Sequence, residues 1–174
     1  LQSPSLAQSY FPDRYDRQIK QASERWLPGV PWRLWKAQLY QESKLDPNAS
    51  SPAGAEGLAQ FMGPTWGDIA PALGYGLADR RLVGPAIDGG AYYMAALSKR
   101  WRALRQWQEV HRHAQGGYNA GNGNIGRAWR LCAKPEVWDL TIICLPEITG
   151  RHSSETISYV DRIWMVWWPK MEIE

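Results

Sequence analysis

Apolar positions along this chain recur at spacings of three and four, the period of helices that bury one face, and no stretch sustains the two-residue alternation of a strand. Asp13 is placed to cap a first helix running to about Trp26, where Pro28-Gly29 breaks the pattern. Pro31 suits a helix start, and the segment through Leu45 stays periodic until Asp46-Pro47, because the residue before a proline is pushed out of the α region. Residues 48–57 are small, polar and glycine-bearing, and read as a structured loop. A short helix is expected after Pro64, and others over about Pro85–Leu104, Trp107–Gln115, Asn124–Cys132 and Ser154–Trp168. The connectors carry Gly116-Gly117, Gly121 to Gly123, Pro135, and Pro146 to Gly150. Residues 1–12, rich in Ser, Gln and Pro, read as a flexible arm ahead of one domain over 13–174. With no internal repeat, the expected architecture is mainly α, a single domain of short helices.

Composition narrows the class. At 174 residues, 44% hydrophobic and 21% charged, the chain has the make-up of a globular domain that can bury a core. Its most apolar run, Ile163 to Trp168, is less than two helical turns and is stopped by Pro169, far short of the roughly 18 residues that suggest a membrane span. A net charge of +3 without a Lys/Arg run argues against a nucleic-acid surface and is compatible with an anionic polymer. Eleven Trp and eight Tyr against two Phe favour rings with a flat apolar face and one polar edge, which serve a core and also stack on sugars. Cys132 and Cys144 form no C-x-x-C pair; a bridge between them and two buried thiols both fit the spacing. The chain begins without Met or a basic-plus-apolar leader, as a mature or trimmed form would.

One residue stands out chemically. Trp32, Trp35, Leu39 and Glu42 lie along one helix face, making Glu42 the polar member of an apolar stripe near the helix C-terminus. Burial and the negative end of the helix dipole both disfavour its carboxylate, and a glutamic acid kept protonated near neutral pH can act as a general acid. His111, His113 and His152 have no metal-ligand context and read as surface or helix residues. Ser43 has no triad-like histidine and reads as support for the helix end.

The residues after Glu42 extend the pattern. Glu42-Ser43, Ser51-x-x-Gly54-Ala55 and Gly57-Leu58-Ala59-Gln60 are followed by Gly90-x-x-Tyr93-Met94-x-x-Leu97, Gly117-Tyr118-Asn119-Ala120-Gly121 and Glu155-Thr156-x-x-Tyr159-Val160. In kind and order these resemble the motifs of the soluble lytic transglycosylase family, with Ala59 where that family has Met and Gly117 where it has Ala. The resemblance implies a lysozyme-like fold with a glycan-binding groove and a peptidoglycan-cleaving activity. Glu42 would be sole general acid and base, breaking the β-1,4 bond between N-acetylmuramic acid and N-acetylglucosamine and leaving a 1,6-anhydro end. By matched position, the Tyr118 hydroxyl would orient the Glu42 carboxyl, and Ser51 and Gln60 would hydrogen-bond sugar substituents. Asn119 would hold the groove wall, Met62 would pack beneath a sugar, and Glu155 and Tyr159 would share one helix face pointing into the cleft.

No metal and no cofactor are implied. The implied partner is the glycan strand, met by a monomer in the periplasm or at the bacterial wall, with a secretion, conjugation or phage assembly as a further partner by analogy of size. Two alternatives remain: a goose-type hydrolytic muramidase, needing a second carboxylate for which Glu56, Asp68 and Glu155 are candidates, and a weakly catalytic wall-binding component. Gly54, Gly57 and Gly121 are expected to shape the groove.

Overall fold

The computed structural model describes residues 10–173. Ten helices follow in order: α1 (Asp16–Trp26), α2 (Trp32–Ser43), α3 (Gly63–Ala72), α4 (Val83–Ser98), α5 (Trp107–Ala120), α6 (Asn122–Leu131), α7 (Trp138–Thr141), α8 (Leu145–Thr149), α9 (Ser153–Arg162) and α10 (Trp168–Glu172). Among the described residues the only β pairing is two isolated bridges, Ser50 with Glu56 and Glu56 with Phe61. The mainly α architecture read from periodicity is the observed one.

α2 runs through the middle. Leu34, Trp35, Ala37 and Leu39 are fully buried, with α1 and the C-terminal segment packed against it. The Trp35 ring reaches α4 at Gly90, which has no side chain; a Cβ there would stand 2.6 Å from the ring. Lys36, also buried, reaches Asp16 at 2.6 Å and ties α2 to the start of α1.

Several local expectations change. α1 begins at Asp16 rather than Asp13, whose backbone carbonyl, not its side chain, accepts the Asp16 N–H at 2.9 Å. The packed body nevertheless reaches back to Phe11, which is buried edge-on against Tyr40; residues 1–9 of the expected arm lie outside the described residues. Gly116 and Gly117 do not end α5 but sit inside it. A Cβ on Gly117 would stand 2.7 Å from Asn122 Oδ1, and one on Gly116 would drive into the Trp138 ring. That contact supplies a reason for Gly117 where Ala would be expected.

α7 and α8 were not legible as helices. The Cys132–Cys144 disulfide joins the end of α6 to the turn that precedes α8. Pro169 does not stop the C-terminal helix either. Over Ile163–Trp167 the chain widens to a π turn, with the Trp168 N–H bonded to the Ile163 carbonyl, and α10 continues through the proline. One extra residue in the turn makes room for a ring that would otherwise clash with the carbonyl four residues back.

His111 and His113 are in a helix as expected, but neither is at the surface. His113 bonds the Glu109 carbonyl through Nδ1 at 2.7 Å and the Thr141 hydroxyl through Nε2 at 2.8 Å. A carbonyl only accepts, so Nδ1 carries a proton. Burial pushes both histidines down to about 4.

Candidate active site

α2 delivers Glu42 to the rim of the core and then turns sharply. Lys44 and Leu45 both take left-handed backbone conformations, φ 57° and 61°, which swing the chain into the loop that forms one wall of the cleft. Ser43 fastens this corner: its hydroxyl lies 3.2 Å from the Leu39 carbonyl and 2.9 Å from the Leu58 carbonyl. Ser43 thus supports the helix end.

The loop over residues 49–61 is held by its own backbone. The Gly57 N–H donates to the Ala49 carbonyl at 2.9 Å, and Glu56 and Phe61 exchange a pair of bonds at 3.1 and 3.2 Å. Gly57 has φ 78°, and a Cβ on it would overlap the Arg80 carbonyl oxygen. Glu56 accepts from Arg80 Nε at 2.6 Å and Arg81 Nη2 at 2.5 Å, clamping the loop to the segment before α4. Glu56, a candidate second carboxylate by sequence, is therefore an anchored residue. The clamp carries no sequence signal, because neither arginine belongs to a motif.

On the opposite side, α9 brings Tyr159 to Glu42. The Tyr159 hydroxyl donates to Glu42 Oε1 at 2.5 Å. Tyr118, expected in that role, donates instead to the Ala59 carbonyl at 2.7 Å. Its ring packs beside Tyr93 and Phe61, with centroids 5.3 and 6.2 Å away, so it stands as a post beneath the loop. The hydroxyl that meets Glu42 comes from α9 and not from α5, where motif position put it, because only the packing of α9 on α5 decides which hydroxyl reaches the carboxyl.

Glu42 is half-buried, enclosed by protein on the α9 side and open to the cleft on the other. Burial lifts its pKa to about 8; the Tyr159 bond pulls it down and the charge of Glu155 pushes it up. At neutral pH the residue holds its proton. Tyr118 and Tyr159 are both pushed well above the usual tyrosine range, first by burial and then by Glu42.

Around Glu42 opens a cavity of about 610 Å³. Ser51, Gln60, Met62, Tyr118, Asn119, Glu155 and Tyr159 all line it, so the structure brings the sequence-derived set together. Their side chains are not equally available. Ser51 Oγ accepts the Ala55 N–H at 3.0 Å, and Gln60 Nε2 donates to the carbonyls of Ala49 and Gly57 at 3.2 and 2.9 Å. Gln60 is thereby spent in part on holding its own left-handed turn, φ 50°. Asn119 Oδ1 accepts from Thr156, fixing α5 to α9 at 2.7 Å. Met62 is well exposed and offers an apolar surface.

Cleft-lining residues missed from sequence include Gln41, Ser154, Ser158 and Arg162. Ser158 and Arg162 are four apart on α9 beside Glu155 and Tyr159, a spacing that could have found them. A second hollow of about 380 Å³ shares Asn119 and Glu155 and continues past Asn124 and His152. Asp68 and Glu56 do not line the cleft, leaving Glu155 as the other carboxylate there among the described residues. Those residues include no group of three or more His, Cys, Asp or Glu placed to hold a metal ion.

A helical domain with one protonated glutamic acid in an open polar groove has the build of a general-acid site. The family model of the transglycosylase SLT domain matches residues 18–140, and the chain belongs to that family. The match takes in Glu42, the loop and Tyr118 but stops before α9, so the part played by Glu155 and Tyr159 rests on the structure. Among curated relatives, the membrane-bound lytic murein transglycosylase F of Shewanella pealeana is 29% identical over 160 residues, covering 80% of this chain and 31% of the relative. Membrane-bound lytic murein transglycosylase F 1 of Alkalilimnicola ehrlichii is 35% identical over 145 residues, covering 79% and 27%. The chain thus spans less than a third of these relatives' length.

Solved structures share the fold. An inactive mutant of the lytic transglycosylase Slt from Pseudomonas aeruginosa superposes with a TM-score of 0.65 at 23% identity, over 88% of this chain and 24% of that one. The 70 kDa soluble lytic transglycosylase SLT70 of Escherichia coli gives 0.64 at 22% identity, over 92% and 26%.

Proposed function

We propose that this chain cleaves peptidoglycan as a lytic transglycosylase, at the β-1,4 bond between N-acetylmuramic acid and N-acetylglucosamine, with Glu42 as the sole general acid and base. The observation that carries this reading is the Glu42 carboxyl, protonated at neutral pH, bonded to Tyr159 and open to the cleft. In the first step Glu42 gives its proton to the leaving glycosidic oxygen as the bond to the anomeric carbon breaks. The substrate's own 2-acetamido group stabilises the charge that develops, so no second enzymic carboxylate is required. The muramic 6-hydroxyl then bonds to the anomeric carbon and returns its proton to Glu42, closing a 1,6-anhydro ring without consuming water.

The cleft suits a polymer: it is open and continues into a second hollow. Met62 offers an apolar face for a sugar ring, while Asn119 and Glu155 present polar groups along the wall. The Cys132–Cys144 bridge favours work in an oxidising compartment, in keeping with the periplasm or the wall. A secretion, conjugation or phage assembly is the proposed setting in which this domain opens a local gap.

Mass spectrometry of muropeptides released by wild type and Glu42→Gln at equal loading tests the reading. Anhydro-muramic ends from wild type alone support it. Reducing ends would replace it with a hydrolase using Glu155 as second carboxylate, and no product from either protein would favour a wall-binding role.

A further inference from the structure

Past Tyr159 the wall of the cleft turns basic. Glu155, Tyr159 and Arg162 lie along one face of α9, so the wall changes from an acid to a cation over two turns, about 10 Å. Arg162 is exposed, lines the cavity with Gln41, and makes no ion pair or side-chain hydrogen bond among the described residues. The π turn that follows Arg162 packs on α2 and ends at Trp167, one widened turn further on. Trp167 Nε1 donates to Gln41 Oε1 at 2.6 Å, and its ring meets Tyr40 edge-on. Lys44 Nζ stands 4.2 Å from the centroid of that indole and 4.4 Å from that of Tyr40, and Lys170 Nζ approaches the same indole at 5.8 Å. Three cations thus gather about Gln41 and Trp167, and none has a carboxylate partner among the described residues.

Like charges held together repel, and an anion placed among them relieves the repulsion. Burial, and after it the positive charge of Arg162, holds Lys44 below the usual lysine range. The acids of the cleft do not balance these cations: Glu42 keeps its proton at neutral pH, and Glu155 stands two turns away along α9. The rings of Tyr40 and Trp167 hold the Lys44 ammonium in place, and the planar fork of Arg162 suits a carboxylate. In the proposed substrate the sugars are neutral, whereas the peptide stem on each muramic residue carries free carboxylates. We infer that Arg162, backed by Lys44, forms a carboxylate-binding site for the peptide stem of a muramic residue in the cleft, so that the chain favours strands with acidic stems over strands whose stem carboxylates are masked as amides.

This assignment rests on the peptidoglycan reading of the cleft, and a binding measurement separates the two. Short glycan strands bearing peptide stems are prepared in two forms, both with their amino groups acetylated. One keeps its stem carboxylates, and in the other these are converted to neutral amides. Both are titrated into Glu42→Gln protein, which leaves the strands intact, and Kd is read by calorimetry. With Arg162 in place the free-acid form is expected to bind about fivefold tighter at low salt, a preference that shrinks as salt is added.

Adding Arg162→Gln should bring the two forms within about twofold of each other, because the amide keeps polar contact and loses the charge. Arg162→Lys keeps the charge without the fork and should retain part of the preference. Lys44→Met should reduce it less than Arg162→Gln does. Arg162 is exposed, so these proteins are expected to fold, which circular dichroism checks. Equal affinity for the two forms with Arg162 in place, or a preference that survives Arg162→Gln in folded protein, would overturn the site. Cleavage of neither form by the chain with Glu42 intact would instead sink the proposed function, and the pair of Kd values would still decide whether Arg162 reads a carboxylate.

Discussion

Replacing Glu42 by Gln should stabilise the folded chain, and more so as the pH rises. Its pKa moves from 4.5 to about 8 on folding. Below pH 4.5 the folded and unfolded chains both hold this proton. Between the two values the folded chain keeps a proton that the unfolded chain releases, so stability falls as pH rises, and above about 8 the cost is complete. At about 1.4 kcal/mol per pH unit, a span of about 3.5 units sets a ceiling of about 5 kcal/mol. Water in the cleft solvates the half-buried carboxylate, so about 2 kcal/mol is the working expectation.

The amide of Gln at position 42 mimics the protonated acid and can still accept the Tyr159 bond, so the substitution removes the titration and leaves the contact. For a domain of this size that corresponds to a Tm about 4–8 °C above wild type at pH 8. A constant offset from the amide swap appears at pH 4 and can be subtracted, and the buried histidines affect both proteins alike. Thermal unfolding by circular dichroism at pH 4, 6 and 8 provides the measurement. A difference that does not grow with pH would refute the claim that burial at this site disfavours the charged form.

The same proton governs turnover. Wall-lytic rate should decline as pH rises past about 8, the value of Glu42, and a rate still climbing at pH 9.5 would show that its neutral form is not required. Gly57→Val combines an unfavourable φ with overlap on the Arg80 carbonyl, and should cost about 3 kcal/mol or more in denaturant unfolding; soluble folded protein with full lytic rate would contradict this. Replacing Cys132 and Cys144 by Ser opens a bridge spanning 12 residues and should lower stability by about 2–4 kcal/mol, read from urea midpoints, while leaving the NMR titration of Glu42 in place.

Periodicity was a good guide where a helix buries one continuous face. α2 is the clearest case: Trp35 and Leu39 share the core side of the turn that presents Glu42, and the expected helix ends within a residue or two of the observed one. It failed where a local rule met a tertiary contact. Gly116-Gly117 looks like a break, yet α5 continues because the Trp138 ring and Asn122 occupy the space that side chains would need. Pro169 looks like a stop, yet a π turn absorbs it. α7 and α8, of four and five residues, are too short for any period to show.

The candidate site divides in the same way. Many of the residues that gather in the cleft were written in the motifs, whose backbone demands are local: Glu42 at the end of α2, Gln60 at positive φ in the loop, and Glu155 and Tyr159 one turn apart on α9. What each side chain does there depends on distances between elements far apart in the chain. Glu42 and Tyr159 are 117 residues apart, and the hydroxyl that reaches the carboxyl is selected by how α9 lies on α5, not by either motif. The sequence alone determined the longer helices, the family and the candidate acid; the tertiary structure decided the hydrogen-bond partner of Glu42 and the burial that favours its proton, because desolvation and hydrogen bonding depend on everything packed around a group and not on its neighbours along the chain.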